Sequence, residues 1–184
     1  MPVTTLDPTT ALIVIDLQKG IAAIPAAHPM ADIVAHSAAL AAAFRQRGLP
    51  VVLVNVDGLA PGRNEHPFTG QFPEGWTDLL PELDAQPGDH RITKRSWGAF
   101  TGTGLAAWLK ERGVTQVVVT GVATSAGVES TARQAHELGF NVTLAIDAMT
   151  DRSAAVHDNS VTSIFPRLGE TGTTAAILAL LPAA

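Results

Sequence analysis

The sequence predicts an α/β fold around a mainly parallel sheet, and three observations predict it. Short apolar runs such as Ala11–Asp16 and Val117–Thr120 lack polar alternation, as strands buried on both faces of a sheet do. Segments of helical period lie between such runs. Glycines at 48, 113 and 139 stand where three helical segments end and the next strand begins, so strand–helix–strand units repeat with short joints and right-handed crossovers. At 184 residues the whole chain, 1–184, fits one domain with a sizeable core.

Ala11–Asp16 reads as the first strand, with Asp16 at its carboxyl end, the end at which open α/β sheets bind ligands. A loop rich in Ala and Pro then leads to a helical face at Ile33, Ser37, Leu40, Ala41 and Phe44 that stops at Gly48. Val51–Val56 is the second strand, and Thr103–Arg112 a helix stopped by Gly113. Residues 117–120 form the central strand, which Gly121 breaks. Val128, Thr131, Ala132, Ala135 and Leu138 recur at helical spacing, so a helix over 126–138 follows a corner at 122–127, with Glu129 complementing the positive end of its dipole. That end aims N–H groups at the corner, which is an anion or oxyanion cradle by construction. A strand at Val142–Ile146, a helix near Ala154–Phe165, a short strand around Leu168–Thr171 and a last helix carrying Ile177, Leu178 and Leu181 complete the chain.

Asp57–Gly88 stands apart, with five of the 12 prolines, five of the 16 glycines and only a short helical stretch around Trp76–Leu83. Irregular segments longer than about 12 to 15 residues are uncommon in compact domains unless they bind something. Residues 57–88 are therefore expected to form a lid or a subunit-interface loop.

Composition narrows the function. A net charge of −5 argues against nucleic acid and anionic membranes as partners, and no apolar run reaches the roughly 18 to 20 residues of a membrane span. No basic leader precedes Asp7, so the chain reads as soluble and cytoplasmic. Charged residues make up only 16%, which points to surface covered by another subunit. The absence of cysteine removes thiolate metal sites and any thiol nucleophile.

Arg91-Ile92-Thr93-Lys94-Arg95 puts three cations in five positions just before Ser96-Trp97-Gly98-Ala99-Phe100. Two readings stay open. The segment either sets a cation at a strand end, with Trp97 and Phe100 walling a pocket for a flat anion, or is an alternating strand with solvated arginines.

The set I-D-L-Q at 15–18, K-R-S-W-G-A-F at 94–100 and T-G-V-A-T-S-A-G-V-E-S-T-A-R at 120–133 resembles the isochorismatase-like hydrolases, the cysteine hydrolase superfamily. The resemblance spans nearly the whole chain in order. It implies a three-layer α/β/α, Rossmann-like fold on a six-stranded parallel sheet, and a homodimer or higher homo-oligomer. It maps the catalytic aspartate and lysine onto Asp16 and Lys94, and the catalytic cysteine position onto Gly127. Val122, Ala123, Thr124 and Ser125 fall at its substrate-binding corner, with a non-proline cis peptide at Val122–Ala123, and Gln18 falls near the pocket. Glycine offers no nucleophile, which implies hydrolysis of a small anionic metabolite by acid catalysis, with Asp16 as general acid and Lys94 orienting it. A vinyl ether such as isochorismate fits that chemistry. Metal-binding members carry Asp-x-His after the second strand, whereas here Asp57-Gly58-Leu59 stands with His66 isolated, so no metal and no cofactor is expected.

Two other readings compete. Ala123-Thr124-Ser125-Ala126-Gly127 fits a variant nucleophile elbow, with Asp147 and His157 downstream as acid and base of a small serine esterase; alternatively, Ser125 caps the helix and His157 is a satisfied structural histidine. A family fold without its nucleophile could also be a silent metabolite-binding scaffold.

Overall fold

The computed structural model describes residues 2–65 and 70–182. Six strands, β1 (Thr10–Ile15), β2 (Val51–Val56), β3 (His90–Lys94), β4 (Gln116–Val122), β5 (Asn141–Thr150) and β6 (Glu170–Gly172), make one sheet in the order β3-β2-β1-β4-β5-β6. Every neighbouring pair is parallel. The chain builds outward from β1 in one direction and from β4 in the other. The strand order therefore reverses between β1 and β4, and a crevice opens beyond their carboxyl ends.

Alternation along β1 explains the layers. Ala11, Ile13 and Ile15 point to one side, into a core with Leu105 and Leu109 of α3 (Leu105–Glu111) and Ala132 and Ala135 of α4 (Glu129–Glu137). Leu12 and Val14 point to the other, against Leu40 and Phe44 of α2 (Met30–Gln46) and Ile177 of α6 (Thr174–Leu180). The result is the expected three-layer α/β/α sandwich around a six-stranded parallel sheet. A short α1 (Lys19–Ala22) and α5 (Ala154–Asn159) complete the helices among the described residues.

Several boundaries differ from those expected, each for a local reason. The helix after the central strand opens with a π-helical turn at Thr124–Val128 before α4 begins. α3 starts at Leu105, not Thr103, because Gly102 and Gly104 both hold positive φ. α5 is short and passes into a π turn at Ser160–Ile164 and a 3₁₀ turn at Phe165–Arg167, where Pro166 supplies no N–H. β6 is displaced towards the C-terminus of its expected place. β5 runs to Thr150, four residues beyond Ile146, after a register shift against β4. That shift seats Asp147 to cap α6, with Oδ1 accepting from Thr174 N at 2.7 Å and Thr174 Oγ1 at 2.9 Å.

The segment 57–88 contains no helix longer than the 3₁₀ turn Pro81–Leu83 among its described residues. Its second half is stitched to the start of the crevice: Gly20 N donates to Trp76 O, Lys19 N to Asp78 O, each at 2.9 Å, and Leu80 N to Leu17 O at 3.0 Å. His66 lies outside the described residues. Among those described, no helix is long and apolar enough to cross a membrane.

Gly121 is the tightest joint of the sheet. Its φ is +113°, and a Cβ there would collide with the main-chain oxygen of Ile15, so only glycine fits. Gly121→Ala is expected to cost about 3 kcal/mol, a fall in Tm of roughly 10 °C in a thermal melt. Gly62→Ala, with nothing within 4 Å of its added Cβ among the described residues, is the control expected to melt like wild type.

Candidate active site

At the carboxyl end of β1, Asp16 turns the chain with φ +52°, a left-handed conformation that aspartate tolerates better than most residues. Its side chain is buried, as is that of Lys94 at the end of β3, only 2% exposed. Lys94 Nζ donates to Asp16 Oδ2 at 2.7 Å and to Ser96 O at 3.1 Å. Asp16 Oδ1 has no hydrogen-bond partner among the described residues. Burial raises the Asp16 carboxyl from its ordinary range to about 6, against the charge and hydrogen bond of Lys94, which pull it down. The alternation of β3 explains how one basic run serves two purposes: Arg91 and Thr93 face solvent while Ile92 and Lys94 turn inward. Arg95, beyond the strand, is an exposed partner of Asp57 at 2.9 Å.

The corner after β4 faces this pair. The Val122–Ala123 peptide is cis. At Gly127 an added Cβ would stand 2.9 Å from Ile15 Cγ2 and 3.2 Å from Asp16 Oδ2, so residue 127 shares the floor with the carboxyl group. Asp151, just past β5, holds the corner from the side: its Oδ2 accepts from both Ser125 N and Ser125 Oγ at 2.8 Å. The positive end of the helical turn is thus partly satisfied by a protein carboxylate, not left wholly open as a cradle.

Asp16, Lys94, Gly127 and the Val122–Ala123 peptide meet at a cavity of about 530 Å³. Ile21, Ile24, Met30, Phe72 and Trp76 give it largely apolar walls, and Trp97, 63% exposed, stands among its lining residues. A pocket of this size with few convergent polar groups suits a small metabolite. Among the described residues no cluster of three or more His, Asp or Glu could hold a metal ion.

Residues 10–176 match the Isochorismatase domain family. The chain belongs to that family. It is 40% identical over 173 residues to the isochorismatase family protein YwoC of Bacillus subtilis, covering 90% of each chain. The streptothricin hydrolase of Streptomyces noursei is 38% identical over 142 residues, 75% of this chain and 48% of that one. The structure of an isochorismatase family protein from Burkholderia thailandensis superposes with a TM-score of 0.92 at 42% identity, covering 96% of this chain and 97% of that one. The protein is accordingly a hydrolase of the isochorismatase family.

Within this family framework the other expected site residues separate. Val122, Ala123 and Trp97 line the cavity, whereas Phe100, Thr124, Ser125 and Gln18 are not part of its lining. Phe100 packs against the core next to Phe140, their rings 6.0 Å apart. Thr124 is fully buried and hydrogen-bonds His157 Nδ1 at 2.8 Å. Gln18 is a fully buried brace, its Nε2 donating to Val56 O and Trp76 O and its Oε1 accepting from Val56 N at 2.7 Å. It positions two residues that line the cavity without lining it itself.

The serine-esterase arrangement is not formed. Ser125 is bonded to Asp151, His157 to Thr124, and Asp147 to α6, so the three never meet. His157 is instead a satisfied buried imidazole, held below its usual pKa by burial and then by His28, whose ring stands 4.7 Å away.

Asp151 and Arg152 are cavity residues that sequence reasoning missed. Their signal was an acid at the carboxyl end of a parallel strand, but with β5 ended at Ile146 it was Asp147 that drew attention. Asp151→Ala is expected to cost about 1–2 kcal/mol through loss of the two Ser125 bonds. Faster hydrogen exchange at the Ser125 amide, with a Tm lowered by a few degrees, checks it; unchanged exchange there would show that the bonds do not hold the corner.

Proposed function

We propose that the protein hydrolyses a small anionic metabolite by acid catalysis from Asp16, with no covalent enzyme intermediate, a vinyl ether of the isochorismate type being the substrate class that fits. The buried Asp16–Lys94 pair beneath an apolar cavity carries this reading, because the carboxyl with its pKa raised to about 6 keeps a protonated fraction near neutrality. In this reading Gly127 takes the place of the superfamily's nucleophilic cysteine. Its nearness to Asp16 Oδ2 and the lack of any cysteine in the chain support that assignment.

The steps balance without a nucleophilic side chain. Asp16 gives its proton to the terminal vinyl carbon, the carbon–carbon π bond supplies the electron pair, and an oxocarbenium forms. Water adds to the cationic carbon and returns a proton to Asp16. As the hemiketal breaks its bond to the alcohol oxygen, its hydroxyl proton passes to that oxygen and the hydroxyl oxygen becomes the carbonyl, releasing an alcohol and a keto product. Lys94 orients the carboxyl and offsets negative charge on the substrate.

Turnover of isochorismate, nicotinamide and a carbamoyl amide by wild type, Asp16→Asn and Gly127→Cys tests the proposal. The expected result is isochorismate cleavage by wild type, reduced at least about a hundredfold in Asp16→Asn. Inactivity of wild type on isochorismate, with amide hydrolysis appearing only in Gly127→Cys, would point to a silent member of the fold.

The acid also sets a sign for pH. Because Asp16 must carry its proton, kcat/KM is expected to fall as pH rises through about 6. Lys94 lowers that pKa, so Lys94→Met is expected to move the limb to higher pH while lowering the rate. A limb that stays in place would remove Asp16 from the role.

A further inference from the structure

Pro25 and Ala26, in the loop before α2, line the cavity, and so do Val122, Ala123 and Ala126 of the corner after β4. The loop is tied down just past Ala26. Ala27 N donates to Asp151 O at 2.8 Å, and His28 N donates to Thr150 Oγ1 at 3.2 Å. The His28 ring is fixed as well, its Nδ1 lying 2.9 Å from the same hydroxyl. Across from it stands His157 of α5, met edge to face with the ring centroids 4.7 Å apart. His157 in turn holds Thr124 of the corner, Nδ1 to Oγ1 at 2.8 Å. The two imidazoles thus complete a chain of contacts from the 25–26 wall to the corner, and neither ring takes part in the chemistry proposed for the floor.

We propose that His28 and His157 are a pair of positioning residues that register the Pro25–Ala26 wall of the cavity against the corner at 122–127, and that charging both rings opens this joint. The joint bears on the shape of the cavity and not on the chemistry assigned to Asp16.

The contact suits neutral rings. An imidazole that takes a proton gains a second N–H and a full charge. Two imidazolium rings 4.7 Å apart repel, so the protons bind as a coupled pair, the second with more difficulty than the first. His157 is buried, and burial, followed by the influence of His28, holds it below the ordinary histidine range. Asp158 on its own helix and Asp151 after β5 pull the other way without prevailing, and the corner offers it the hydroxyl of Thr124. His28 is faced by His157 and by the hydroxyl of Thr150. The sign follows. A histidine held low in the fold contributes stability that is complete above its ordinary pKa of about 6.5 and is lost as pH falls below it. That loss falls on the contact between the rings, and so on the wall that His28 anchors.

Hydrogen exchange at the Ala27 amide, followed by NMR between pH 7.5 and 5.5 and corrected for the intrinsic pH dependence of exchange, is the test. In wild type the protection factor is expected to fall about tenfold over that range, while the amides of β1 keep theirs. Glutamine can hold a hydrogen bond without taking a charge. His157→Gln and His28→Gln are therefore expected to keep Ala27 protected to within about twofold across the range. His157→Ala removes the contact outright and is expected to lower protection about tenfold at pH 7.5 already. Asp16→Asn is expected to show the wild-type fall, which separates the joint from the acid on the floor. A wild type whose Ala27 protection does not change with pH overturns the proposal. So does a fall that survives in either glutamine variant or vanishes in Asp16→Asn, or a His157→Ala protein that protects Ala27 as wild type does at pH 7.5.

Discussion

The contact between Asp16 and Lys94 is the constraint on which the rest of the structure turns. A carboxylate and an ammonium taken out of water cost several kcal/mol each unless they meet with good geometry. Here they meet at 2.7 Å with almost no exposure. They come from strands that are not neighbours, for β2 lies between β1 and β3. Lys94 reaches across the end of the intervening strand, and its remaining contact to Ser96 O fixes the loop that carries Trp97. Register in β2 and β3 thereby becomes coupled to the site. A one-residue slip of β3 would turn Lys94 outward and bring Thr93 or Arg95 into its place.

The fold was legible because its central strands are buried on both faces. Runs such as Ala11–Ile15 and Val117–Val119 have nowhere to lie except inside a parallel sheet, and their glycine-terminated helices fix the connections. β3 was harder to read, since an edge strand alternates, and His90–Lys94 suits a solvated ribbon as well as a wall of the site. β5 was cut short because a register shift interrupts its pairing with β4 near residue 145, and a broken pairing leaves no mark in residue type. The π turn at Thr124–Val128 escaped for a similar reason. Its residues carry helical preferences of no particular kind, and the widened turn is set by the corner that precedes it.

The site was legible where function depends on position along a strand, and obscure where it depends on the phase of a turn. Asp16 could be read at the end of a strand, whereas Lys94 and Gly127 were placed beside it by the family resemblance; the three meet at the cavity. Ser125 and Thr124 were misdirected by the same corner that brought Gly127 to the floor. In a widened helical turn, successive side chains diverge, so Thr124 enters the core while Ser125 turns to Asp151. Phe100 follows Trp97 by three residues, yet only Trp97 belongs to the cavity; a loop of that length carries no period from which the difference could be read.

Two opposed influences set the acidity of the cavity floor. Ile21, Ile24, Met30, Phe72 and Trp76 line the cavity above the Asp16 carboxyl, and burial lifts that carboxyl above its ordinary range. Lys94 works in the opposite sense, and the net position near 6 is the balance between them. In the proposed mechanism, that balance is what lets a lysine stand beside the general acid. Without it Asp16 would hold its proton more firmly and be a poorer donor. With wetter walls the lysine would prevail and leave a carboxylate. The acidity of the floor is therefore set where β1, β3 and the corner after β4 close around a single carboxyl group, with burial raising it and Lys94 holding it down.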